Sequence, residues 1–100
     1  SSAASDVYKR QKELYTGVLA NLDKLDETLA SYSKKWKLYR LPKVSLTVLR
    51  LALYEMEFVD DLPDSVAINE AVELAKKYGS QEDAGFINGV LGAVSRSNAE

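Results

Sequence analysis

The chain has 100 residues, enough for one domain, and at 46% hydrophobic and 28% charged it is not a disordered segment. Its net charge of −2 does not by itself point to nucleic-acid binding. With no cysteine and no histidine there is no disulfide, no thiolate metal site, no cysteine nucleophile and none of the commonest general base.

Ser1–Gln11 reads SSAASDVYKRQ. Asp6–Gln11 back-translates in frame to the end of a transposase-type sequencing adapter, and Ser1–Ser5 to the part just upstream. Residues 1–11 are therefore expected to be an adapter-derived scar, tolerant of helix but without specific tertiary contacts, and are set apart from the fold.

From Glu13 to Ser31 apolar residues recur at Leu14, Val18, Leu22, Leu25 and Leu29, spacings that predict one amphipathic helix. Gly17 inside it costs about 1 kcal/mol against alanine and points to close packing by a neighbouring helix. Ser33–Lys43 is predicted to be a connection held on the body by Trp36, Leu38, Tyr39 and Leu41. Pro42 disfavours helix at Leu41 and allows one to start soon after.

Val44–Phe58 is apolar nearly all round, which predicts the central, most buried helix, with Ser45 as its N-cap. An acidic turn, Asp60, Asp61 and Asp64, leads into a helix over Ser65–Tyr78. These acids lack the spacing of a calcium loop, and acids before a helix are favourable without any metal. Gly79 is expected to end that helix at positive φ, and Ser80 to cap a last helix over Asp83–Ser95, where Phe86, Ile87, Val90, Leu91 and Val94 mark one face. Residues 96–100 form a polar tail, so the domain is expected to span 12–95. The fold class is all-α.

No apolar run approaches the ~20 residues that span a bilayer, which leaves the cytoplasm as the expected location and no membrane partner. With no glycine-rich phosphate loop either, nothing suggests an enzyme or a cofactor. Between Glu27 and Glu55 there is no acid, while Lys34, Lys35, Lys37, Arg40, Lys43 and Arg50 fall there, a local basic segment able to meet phosphate. Arg50, Asn69 and Glu70 stand among apolar neighbours, so they are expected to be buried structural residues. Arg50, or a neighbouring donor, would then pair with Glu70 or Glu55 and hold two helices in register.

Three stretches resemble the NusB family: VLRLALYEM at Val48–Met56, VAINEAVELAKKYG at Val66–Gly79 and FINGVLGAV at Phe86–Val94, in the family's order and spacing. Glu13–Leu29 resembles the helix that precedes them, so the likeness spans about Glu13 to Val94. It implies a NusB-like helical bundle, truncated at its N-terminus, because the family's arginine-rich first helix and its second helix have no counterpart here. It also implies a transcription antitermination factor, not an enzyme, that binds boxA-type single-stranded RNA together with the ribosomal protein NusE in an RNA polymerase antitermination complex. By the same resemblance Glu82 and Phe86 are the RNA-side residues that remain, and Gly85 stands where the family often has a basic residue. The apolar face of the family's first helix packs on the body, so Leu14, Val18, Leu22 and the central helix are expected to show an apolar patch. Two other readings stand beside this one: the NusB-like domain of a ribosomal RNA cytosine methyltransferase, and a helical protein-interaction module. The SRSNAE stretch after the last helix favours a stand-alone factor.

Overall fold

The computed structural model describes residues 2–99, and among them there are six helices and no strand. Helix α1 spans Ser2–Ala20, α2 Leu22–Ser31, α3 Lys35–Arg40, α4 Lys43–Phe58, α5 Asp64–Tyr78 and α6 Gln81–Ala99. Helices α4, α5 and α6 pack on one another, and α1 and α2 lie against α4.

Where one helix was predicted over Glu13–Ser31 there are two. Asn21 leaves the helical region at φ −114°, ψ 15°, and its side-chain amide donates to the Gly17 carbonyl at 2.8 Å. Such a side-chain bond competes with the backbone ladder and bends a helix. The apolar spacing runs on across the break, so periodicity alone does not show it. Gly17 does serve close packing: the Tyr54 ring of α4 occupies the space that a Cβ would fill.

The connection after α2 is itself partly helical. Leu38 of α3 is fully buried, whereas Trp36 and Tyr39, expected to lie on the body, are 55% and 53% exposed. So short a helix can direct only one side inward, and Leu38 takes it. Leu41, extended ahead of Pro42 at ψ 142°, ends the helix.

Helix α4 begins after Pro42, not after Ser45. Ser45 is buried inside its first turn and donates to Asp83 Oδ2 of α6 at 3.1 Å. The N-cap expected there is corrected accordingly. Leu49, Ala52 and Leu53 of α4 are buried among α2, α5 and α6, as a central helix requires.

Helix α5 turns Ala67, Ala71 and Ala75 inward. This line of small side chains lets it lie close to its neighbours. Helix α6 answers with Ala84, Ile87, Val90, Leu91 and Val94. Ser80 caps α6 as expected, its Oγ accepting the Asp83 N–H at 3.0 Å. Gly79 ends α5, but at φ −125° and not at positive φ. Its place is set by crowding: a Cβ there would lie 2.8 Å from Ser45 Oγ and 3.0 Å from Asp83 Oδ2.

The two end segments are more regular than their polarity suggests. α1 runs through residues 2–11 and α6 through 96–99, while Ser1 and Glu100 lie outside the described residues. Residues 3–13 are all exposed. Further along, Leu14 and Val18 of α1 and Leu22 of α2 line an apolar groove of about 320 Å³ with Leu51 of α4, bordered by Tyr15 and Leu19 at 68% and 53% exposure.

Candidate nucleic-acid interface

The N-terminal end of α6 and the short helix α3 face each other across a cleft of about 440 Å³. The α6 wall carries Glu82, Asp83 and Phe86; the α3 wall carries Trp36, Lys37 and Arg40, with Leu41 at the base of the connection. The two sequence-identified candidates, Glu82 and Phe86, are thus brought together, one helical turn apart on one wall. Phe86 is half-buried and packs against the core, leaving part of its ring for the cleft. Glu82 is exposed in the first turn of α6, where the helix dipole favours an acid. Asp83 is already held, accepting from Ser45.

The opposite wall was legible only as a basic segment containing a tryptophan. Lys37 Nζ lies 5.6 Å and Arg40 Cζ 5.7 Å from the centre of the Trp36 ring, within cation–π range. Among the described residues neither cation has a carboxylate within 4 Å. The cleft therefore offers an exposed tryptophan, two cations with no carboxylate partner among the described residues, and one carboxylate able to accept from a base amine.

The polar residues assigned to the core divide differently. Arg50 is half-buried, and its partner is Asp26 of α2 and neither Glu70 nor Glu55. Arg50 Nε donates to Oδ1 at 2.8 Å and Nη2 to Oδ2 at 2.7 Å, a bidentate pair that raises the Arg50 pKa. Asn69 and Glu70 are exposed, which corrects their expected burial. Ala67, Ala71 and Ala75 define the inward stripe of α5, and at about 100° per residue both side chains fall outside it. Glu70 still acts at a distance. The pKa of half-buried Glu55 on α4 is raised, mainly by burial and further by the negative charge of Glu70.

A model described as the NusB family matches residues 4–96. The chain belongs to the NusB family. It is 54% identical over 82 residues to the transcription antitermination protein NusB of Acetivibrio thermocellus, covering 82% of this chain and 57% of that protein. It is 49% identical over 83 residues to that of Clostridium botulinum strain Kyoto, covering 83% and 58% respectively. A solved structure of T. maritima NusB superposes with a TM-score of 0.82 at 39% identity, over 88% of this chain and 62% of that one. The chain thus spans a little under three fifths of the length of these curated relatives. The match confirms the all-α, NusB-type architecture, and no helix among the described residues is long and apolar enough to cross a membrane.

Proposed function

We propose that this chain is the larger part of a cytoplasmic transcription antitermination factor that, when intact, binds boxA-type unpaired RNA together with NusE and acts by binding, not catalysis. In this reading residues 1–11 are the adapter-derived scar, 12–95 the NusB-type domain and 96–100 a polar tail. The observation that carries it is the α3–α6 cleft, where Glu82 and Phe86 share one space with Trp36, Lys37 and Arg40. Unpaired RNA is recognised by stacking splayed bases on aromatic planes and reading their edges by hydrogen bonds. Phe86 supplies an aromatic flank and Glu82 an acceptor for a base amine. The overall charge of −2 speaks against non-specific phosphate binding, so selectivity falls to such contacts.

The reading is tested by measuring the affinity of the chain, with NusE present, for a boxA-like RNA and for a scrambled RNA of equal composition. The boxA-like RNA is expected to bind at least about tenfold tighter, a difference of ~1.4 kcal/mol. Equal affinities would refute the assignment.

A further inference from the structure

We propose that Trp36 is the stacking platform for one unpaired base of the RNA, with Lys37 and Arg40 beside it as the phosphate contacts. This rests on the RNA reading above and gives that site its central residue.

Helix α3 is built to hold the ring outward. Leu38, two residues on, is fully buried and pins the helix to the core, while Trp36 remains 55% exposed. A large aromatic left in solvent on an anchored helix forgoes burial that the core could have provided. Its immediate neighbours are two cations at 5.6 and 5.7 Å from the ring centre, and its surroundings in sequence are Lys34, Lys35 and Lys43. An indole flanked by cations is the element by which single strands are held, the base on the ring and the backbone on the charges.

The remainder of the cleft selects for a single strand. At about 440 Å³ it is within the range of small-ligand sites, and Glu82 lines the opposite wall. The carboxylate repels a second phosphate backbone and accepts from the amine of a base lying on Trp36. Both walls belong to elements fixed on the core, α3 through Leu38 and α6 through Ala84 and Ile87, so the platform is formed before RNA arrives.

Trp36 is the chain's one tryptophan, so its emission reads this site. The chain is titrated, with and without NusE, with a short boxA-like RNA. Dye anisotropy on the RNA reports binding, and the difference in emission between the native chain and Trp36→Phe isolates Trp36. The expected result is quenching that follows the anisotropy curve, with affinity lowered on the order of tenfold in Trp36→Ala and largely kept in Trp36→Phe. Thermal melts of both variants should match the native chain, which separates lost stacking from lost folding. Binding with unchanged Trp36 emission, and equal affinity for Trp36→Ala, would overturn the platform: the two cations over the ring would then be a surface clasp only, and RNA binding would lie elsewhere on the chain. No anisotropy change at low salt, with or without NusE, would overturn the RNA reading and this inference with it.

Discussion

Helices α1 and α6 have the same length, 19 residues, and opposite fates. α6 buries Ala84, Ile87, Val90, Leu91 and Val94. In α1 no described side chain is fully buried, and Val7, Tyr8, Tyr15 and Leu19 are 49–69% exposed. Both helices carry apolar residues, so composition does not separate them. α6 has a facing surface on two sides, the alanine stripe of α5 and the inner face of α4, whereas α1 meets α4 along one edge. Burial is a property of pairs of faces, and helical stability in a folded protein comes chiefly from such packing and less from propensity.

The largest expected effect breaks the comparison if it fails. Leu53→Ala, at a fully buried position of α4, should cost about 3–4 kcal/mol in urea denaturation, while Leu19→Ala on α1 should cost under about 0.5 kcal/mol. Similar losses at the two sites would mean that the α1 face is as tightly covered as the core.

The Arg50–Asp26 pair is the polar link between these regions, joining α2 to α4. Its side chains are 21% and 15% exposed, so removing one partner strands a partly desolvated charge. Asp26→Ala should destabilise by about 2 kcal/mol, less than the roughly 3–5 typical of a fully buried pair. Changing Arg50→Leu as well should restore at least half of the loss. If the double variant lost more than the single one, the pair would matter through packing and not through stranded charge.

The smallest effect concerns Glu55. Its folded pKa lies above the ordinary glutamate value, mainly because burial disfavours the carboxylate. Between the ordinary and the raised value the native state holds more proton than the unfolded chain, so this group makes stability fall as pH rises through that window. Glu55→Gln should flatten that fall and add roughly 0.3 kcal/mol near neutrality, a small gain because the group keeps much of its solvent. A stability curve with the same slope in the variant would remove Glu55 as its source.

Three helices were legible from periodicity and punctuation alone: α4 and α5 start and end within a residue of expectation, and α6 extends a few residues beyond it at each end. The break between α1 and α2 is not legible in the sequence, because Asn21 acts through its side-chain amide, which the apolar rhythm around it does not register. Arg50 was legible as a charge in need of a partner, but its choice of Asp26 depends on which face of α4 meets α2. Asn69 and Glu70 looked internal because apolar residues surround them in sequence; the alanines that define the inner stripe are the better guide. At the site, Glu82 and Phe86 came from family resemblance. The cleft did not, since it joins Trp36 and Phe86 from separate helices and no local pattern encodes that meeting.

The break at Asn21 also divides the molecule in time. The backbone ladder of α2 restarts from the Asn21 carbonyl, which accepts from the Leu25 N–H at 2.9 Å, so α2 does not depend on the turns before it. Fraying that enters at the N-terminus can consume α1 and halt there, with Asp26 still clasped by Arg50. The amide hydrogens of α1 then exchange with solvent through local opening, while those buried in α4, α5 and α6 wait for the whole body to open.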